Sequence, residues 1–433
     1  MEEKKHGFHT QAVHAGYQPD SETGALFPDI SQNVSFYFKN AEDAAEKFSL
    51  KRPGFSYARL TNPTVAALEA KIAALEGGAG ATCTASGLAA HQLVLFALMQ
   101  SGDEFIASSR LYGGTTNQFR NSFSRGFGWQ CQFADLDDID SFRRAVTEKT
   151  RAVFVESLSN PAGAVADLEA LAKIADDAGI PLIVDNTIAT PYLCRPFEWG
   201  ASVVTYSTTK YLNGHANAMG GAVVDSGKFD WSQNDKFPAL SQPEDSYHGL
   251  SFHKEFKEMA LTYFNHAVGL RDLGACQQPM NAFLTFAGME TLGLRMAQHC
   301  KNAAVVAEFL DAHPAVDWVS YSGLAQSPYK KLADKYFDGR AGGVFTFGVK
   351  GGHDAAVRLV DSVKIFRHVA NIGDTRSLII HPSSTTHSQL TDAQKHAAGV
   401  LPEALRVSIG IEDAEDIIAD LEQALDIAAS KAA

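Results

Sequence analysis

Apolar residues along this chain fall into short β-branched or aromatic runs separated by stretches of helical period. The runs Glu104-Phe105-Ile106-Ala107, Val153-Phe154-Val155-Glu156, Leu182-Ile183-Val184-Asp185, Val203-Val204 and Ala222-Val223-Val224 have the length and composition of strands. From Thr64 the pattern is helical through Val65, Leu68, Ile72 and Leu75, and Gly77-Gly78 ends it. Between two of the strand runs, Asp167 caps a predicted helix whose apolar face is Leu168, Leu171, Ala172, Ile174 and Ala175. Such alternation predicts an α/β architecture: a mostly parallel sheet covered by helices, with ligands outside the carboxyl ends of its strands.

Residues 1–64 read differently. They carry turn signals at Phe27-Pro28, Arg52-Pro53-Gly54 and Asn62-Pro63 and little amphipathic periodicity, which predicts an extended N-terminal arm. Residues 65–282 then form the large domain. Within it, the stretch 229–249 is rich in Pro, Ser and acidic residues and is expected to be a long surface insertion. Residues 283–433 make a smaller α+β domain: a helical stretch from Leu292, strands such as Val344-Phe345-Thr346-Phe347 and Leu405-Arg406-Val407-Ser408-Ile409, and a last helix from about Ala414 with Ile417, Ile418, Leu421 and Leu425 on one face.

Composition narrows the function classes. With 433 residues, 45% of them hydrophobic, the chain can bury a large core in two or three domains. A formal net charge of -13 supplies no field for nucleic acid, so anionic ligands must be met by individually placed arginines. Met1-Glu2-Glu3-Lys4-Lys5-His6 mixes both signs and leads into no apolar stretch, and no apolar run approaches the ~18 residues of a membrane span. The five cysteines are scattered without a Cys-x-x-Cys pair, as in a reduced, cytoplasmic protein with no membrane partner.

Two strand ends carry the strongest chemical signal. Lys210 ends the segment Val203-Val204-Thr205-Tyr206-Ser207-Thr208-Thr209-Lys210, and Asp185 ends the run Leu182-Ile183-Val184-Asp185. A Schiff-base lysine and an acidic partner for a pyridinium nitrogen are what pyridoxal phosphate asks of a protein, and the hydroxyls of Ser207 and Thr209 suit its phosphate. A strand-end aspartate is often only a helix cap, and a lysine after Ser-Thr-Thr is often only a solvated charge. Their joint spacing, two consecutive strand-plus-connection units, favours the cofactor.

Other segments are individually ambiguous. Ala85-Ser86-Gly87-Leu88 opens a helix and can aim free N–H groups at an anion, or be an ordinary capped start. Tyr112-Gly113-Gly114-Thr115 lets a planar ring approach Tyr112, or is a turn with a half-buried tyrosine. Asn160-Pro161 is either a hydrogen-bonding contact or a plain turn. Arg406 lies in a strand-like run, where it answers either a ligand carboxylate or an internal acid. Gly77-Gly78-Ala79-Gly80 lacks the third glycine of a dinucleotide fingerprint, and His381, His387 and His396 fit no common zinc spacing, so no nucleotide and no metal is expected.

In order along the chain, Tyr57-Ala58-Arg59-Leu60-Thr61-Asn62-Pro63-Thr64, Ser86-Gly87, Tyr112-Gly113-Gly114-Thr115, Asn160-Pro161, Asp185-Asn186-Thr187, Ser207-Thr208-Thr209-Lys210 and Leu405-Arg406-Val407-Ser408-Ile409-Gly410 resemble the Cys/Met-metabolism family of pyridoxal-phosphate enzymes. The resemblance covers nearly the whole chain and implies the type I, aspartate-aminotransferase-like fold. It implies that Lys210 carries the cofactor, that Asp185 with Thr187 beside it keeps the pyridine nitrogen protonated, and that Tyr112 stacks on the ring near Asn160. Ser86, Gly87, Leu88, Ser207 and Thr209 would hold the phosphate, completed by Tyr57 and Arg59 of a neighbouring subunit, as in a homotetramer of active-site-sharing dimers. Arg406 would clamp the substrate carboxylate, with Asn160 and Ser384 nearby.

Within the family, the insertion with Tyr247-His248-Gly249-Leu250, the segment from Asn371 to His387, and Gly114 where γ-lyases typically carry cysteine favour members that exchange the acetyl group of O-acetylhomoserine for sulfide or methanethiol. The expected products are homocysteine or methionine, with acetate. O-succinylhomoserine sulfhydrylation, cystathionine γ-synthesis and methionine γ-elimination are the alternatives inside the family. A ligand-binding regulator on the same fold would ordinarily need a basic DNA-binding extension, which this acidic chain lacks.

Overall fold

The computed structural model describes residues 6–161, 163–385 and 401–430. Among them a seven-stranded sheet is built from β1 (Gly80–Thr84), β2 (Glu104–Ser108), β3 (Gln130–Ala134), β4 (Thr150–Glu156), β5 (Leu182–Asp185), β6 (Val203–Tyr206) and β7 (Gly221–Asp225). The spatial order is β1-β7-β6-β5-β4-β2-β3, and β7 runs antiparallel to both its neighbours while the others share one direction. Helices cover both faces, so β5 and β6 are buried at every position and open on apolar runs, Leu182-Ile183-Val184 and Val203-Val204. The carboxyl ends of β1, β2, β4, β5 and β6 therefore converge on one edge of the sheet.

The helices begin and end where local chemistry dictates. Asn62 Oδ1 accepts the N–H groups of Thr64 and Val65 at the start of Pro63–Glu76, and Gly77 at φ 81° ends that helix. Ser86 Oγ accepts the Ala89 N–H at 3.2 Å and starts Gly87–Leu98 directly after β1. Asp167 caps Leu168–Asp177 through Ala170 N–H, as its sequence predicts.

Three local expectations change. The arm contains helices Phe8–His14 and Ala41–Phe48. The first is too short to show a period but is pinned by the buried Lys71, whose Nζ donates to the Ala12 carbonyl at 2.7 Å and lies 3.6 Å over the Phe286 ring. The insertion is not merely superficial, because Trp231 and Phe237 are buried and pack with Phe229 in one aromatic cluster. Strands β1 and β3 escape the sequence pattern because one is made of small residues and the other is half polar, and both lie at the sheet edges.

A second sheet comprises β8 (Val316–Ser320), β9 (Val344–Val349), β10 (Arg367–His368), β11 (Leu378–Ile380) and β12 (Ala404–Ser408), in the order β10-β11-β12-β9-β8. The long helix Leu292–Ala312 joins the two cores. Leu292, Met296 and Cys300 pack with the large sheet, and Ala303, Val306, Ala307 and Leu310 with the small one. This rigid link presents β12 and the segment before β11 to the edge where the large strands end.

Candidate active site

A cleft of about 230 Å³ opens at that edge. Its lining takes Ser86, Gly87, Leu88 and His91 from the helix after β1, Tyr112 and Thr115 from the turn after β2, and Glu156 and Asn160 from the end of β4. Asp185 ends β5 and Thr187 follows it, Ser207, Thr209 and Lys210 lie in the turn after β6, so that Lys210 stands four residues beyond the strand end its sequence suggests, and Asn371 and Arg406 come from the small-sheet side. Residues 320 positions apart in sequence thus share one cavity because strand ends, not chain neighbours, define it.

Asp185 is fixed from several directions. Its Oδ1 accepts the Thr187 N–H at 3.0 Å and the Thr187 hydroxyl at 2.5 Å, and its Oδ2 is 3.1 Å from His91 Nε2. Thr187 Oγ1 in turn accepts the Ser207 N–H at 2.8 Å, which ties β5 to the end of β6. Glu156 stands opposite Asp185 in the β4–β5 register. Its Oε1 accepts the Tyr112 N–H at 2.6 Å and its Oε2 the Asn160 N–H at 3.0 Å, so one carboxyl seats both residues. Burial, reinforced by the Asp185 charge, pushes Glu156 up to about 8.

On the opposite wall, the Lys210 Nζ donates to Asn371 Oδ1 at 2.5 Å. Burial, and secondarily the Arg406 charge, lowers the Lys210 amine to about 8. Arg406 donates to Asn160 Oδ1 at 3.3 Å and to the Asn371 carbonyl at 3.0 Å. Both acceptors are neutral, and among the described residues no carboxylate pairs with this buried guanidinium. Burial lowers Arg406 to about 10, still a cation at neutral pH.

The anion-binding end depends on a glycine. A Cβ at Gly87 would lie 2.8 Å from Ser207 Cβ and 3.0 Å from Ser207 Cα, so the helix N-terminus reaches the Ser207 turn only because residue 87 lacks a side chain. Free helix N–H groups, the hydroxyls of Ser86 and Ser207, a carboxylate and a lowered amine are the donor set that pyridoxal phosphate fits. Thr209 lines the same cleft, but its Oγ1 already donates to the Gly220 carbonyl at 3.1 Å and accepts the Gly220 N–H at 3.0 Å.

Most candidates from the sequence meet here: Ser86, Gly87, Leu88, Tyr112, Asn160, Asp185, Thr187, Ser207, Thr209, Lys210 and Arg406. Ser384 does not line the cleft; it is exposed and bonds the His381 ring, 2.8 Å from Nδ1. Tyr57 and Arg59 lie on the arm, where the Arg59 guanidinium sits 5.3 Å over the Tyr57 ring and donates to the Arg271 carbonyl, outside this chain's own cleft. His387 and His396 fall outside the described residues, and among those described no group of three or more His, Cys, Asp or Glu is arranged to hold a metal.

Sequence reasoning missed His91, Glu156 and Asn371. Two of them left a signal: His91 is a polar residue on the buried face of a mostly apolar helix, and Glu156 is an acid at the end of a strand adjacent to that of Asp185. Asn371 opens the segment whose sequence distinguishes the subgroup, but nothing in that segment foretells its contact with Lys210, which arises from the docking of the small sheet.

Fold and site define a pyridoxal-phosphate-dependent transferase of fold type I. The chain belongs to the Cys/Met metabolism PLP-dependent enzyme family, whose sequence profile matches residues 9–426. It is 45% identical over 420 residues to O-acetyl-L-homoserine sulfhydrylase 1 of Thermus thermophilus, covering 96% of this chain and 99% of the relative. It is 43% identical to the homocysteine synthase of Schizosaccharomyces pombe, covering 97% and 98% of the two chains. A crystal structure from Campylobacter jejuni, described as an O-acetylhomoserine (thiol)-lyase and holding N'-pyridoxyl-lysine-5'-monophosphate, superposes with a TM-score of 0.94 at 39% identity, over 97% of this chain and all of that one. Among the described residues no helix is long and apolar enough to cross a membrane.

Proposed function

We propose that this enzyme catalyses γ-replacement on O-acetylhomoserine, breaking the Cγ–O bond to release acetate and forming a Cγ–S bond with sulfide or, less readily, methanethiol. The observation that carries the reading is the buried Arg406 cation, which among the described residues meets only neutral acceptors in the cleft and is matched in charge by an amino-acid α-carboxylate. The choice of acetyl ester rests on the similarity to O-acetyl-L-homoserine sulfhydrylases of Thermus thermophilus, Leptospira meyeri and Corynebacterium glutamicum.

When bound, pyridoxal phosphate supplies an electron sink for negative charge developing on the substrate carbons. The protein does the rest. Lys210 would hold the cofactor, and its amine, lowered to about 8, is the base: Nζ takes the Cα proton and then helps move a proton at Cβ. Asp185 would hold a proton at the pyridine nitrogen, and Tyr112, half exposed at the mouth, would face the ring. Ser86, Gly87, Leu88 and Ser207 would bind the phosphate, with Thr209 and Thr187 bracing that wall. Tyr57 and Arg59 complete the phosphate site of a partner subunit, in a cytoplasmic homotetramer of site-sharing dimers. Arg406, seated by Asn160 and Asn371, orients the carboxylate.

The test compares kcat/KM for O-acetyl-, O-succinyl- and O-phosphohomoserine, each with sulfide, methanethiol or cysteine. O-acetylhomoserine with sulfide is expected to give the highest value. Preference for cysteine would make the enzyme a cystathionine synthase, and rapid ketobutyrate release from methionine a γ-lyase; either overturns the reading.

A further inference from the structure

His91 has no role in the reaction described so far, yet it lines the cleft and is almost fully buried. Its ring lies 4.9 Å from Phe154 and 5.8 Å from Phe119, with the Phe154 ring edge-on, in surroundings that would suit a leucine or phenylalanine. Among the described residues the side chain makes one polar contact, Nε2 to Asp185 Oδ2 at 3.1 Å, and Nδ1 is buried without a partner. Burying two ring nitrogens to satisfy one is costly for a residue whose task is packing. An ionised carboxylate oxygen only accepts, so this contact requires the hydrogen on Nε2 and selects that tautomer.

The neighbouring acid gives the contact its consequence. Asp185 and Glu156 face each other across β4 and β5, and two adjacent buried carboxyls cannot both ionise cheaply. Asp185 receives three donors: the Thr187 N–H, the Thr187 hydroxyl and His91 Nε2. Glu156 receives two, both backbone N–H groups. Without His91 the count would be equal and the preference for charge on Asp185 would shrink.

We propose that His91 is a positioning residue that, through Nε2–H, keeps the single negative charge of the Glu156–Asp185 pair on Asp185 and so keeps the cofactor's pyridine nitrogen protonated. The proposal rests on the assignment of Asp185 to that nitrogen and is independent of which homoserine ester reacts.

The experiment uses holoenzyme reconstituted with pyridoxal phosphate labelled with 15N in the ring. The wild-type nitrogen is expected to resonate as protonated, and in His91→Phe and His91→Leu to shift toward the unprotonated position. His91→Gln, which retains a donor, should restore most of the wild-type signal. With the substrate pair selected above, kcat of the apolar variants should fall about tenfold, the scale of one hydrogen bond to a charged group, with KM little changed. An unchanged ring-nitrogen signal in His91→Phe or His91→Leu overturns the proposal. Should both apolar variants fail to fold, wild-type enzyme labelled with 15N-histidine decides the matter. The His91 signal, assigned by its loss in His91→Gln, must show the Nε2–H tautomer, and an Nδ1–H tautomer refutes the proposal. Both nitrogen signals are read without substrate, so an error in the proposed donor would leave them unaffected.

Discussion

The amine of Lys210 is held by Asn371, whose Oδ1 accepts from Nζ at 2.5 Å while its carbonyl accepts from Arg406 at 3.0 Å. One asparagine on the small-sheet side thus registers the base against the carboxylate clamp. Gly373, two residues on at φ 76°, lets that segment lie against the Lys210 backbone; a Cβ there would be 3.2 Å from Lys210 Cα.

Cofactor attachment by apoenzyme requires a neutral Lys210 amine. Because burial and Arg406 lower that amine from 10.5 to about 8, the rate of attachment should rise with pH and level off above about 8. Stopped-flow growth of the visible cofactor band measures it, and a midpoint near 10 would show that the amine is not desolvated. Arg406→Gln should move the midpoint upward, since the nearby cation is removed. Asn371→Ala should slow attachment severalfold at the plateau, the scale of one lost hydrogen bond.

Glu156 should give the apoprotein a distinctive pH dependence. Its folded-state value of about 8 exceeds the ordinary 4.5, so its contribution to stability is fully present below 4.5 and is lost as pH rises through about 8. Glu156→Gln cannot ionise. The difference in Tm between wild type and this variant should therefore move steadily against the wild type between about pH 5 and pH 8. A difference that stays constant over that window would mean that Glu156 does not titrate there.

Gly87→Ala tests the anion-binding end. Its new Cβ would stand 3.0 Å from Ser207 Cα, which is backbone and cannot swing aside. Overpacking of this kind costs about 1–3 kcal/mol, and the shift it forces separates the helix N-terminus from the Ser207 turn. Cofactor Kd should rise about tenfold or more, measured by equilibrium dialysis or fluorescence, and wild-type affinity would refute the close approach as a requirement.

The order of elements, the strands β4, β5 and β6, the capped helices, and the two groups Asp185 and Lys210 were determined by the sequence itself. Each is a local property: a run of β-branched residues, a helical period opened by Asn62 or Asp167, an acid where a strand stops or an amine in the turn just after one. The tertiary structure alone decided which groups meet. His91 reaches Asp185 across 94 residues and Lys210 reaches Asn371 across 161, and both contacts exist only because the sheet orders its strands β1-β7-β6-β5-β4-β2-β3 and a single helix docks the small sheet against their ends. The same packing makes Thr187 a brace for Asp185, engages the Thr209 hydroxyl with Gly220, and leaves Ser384 outside the cleft. Side-chain partners are set by distances through space, and one chain's periodicity contains no measure of those distances.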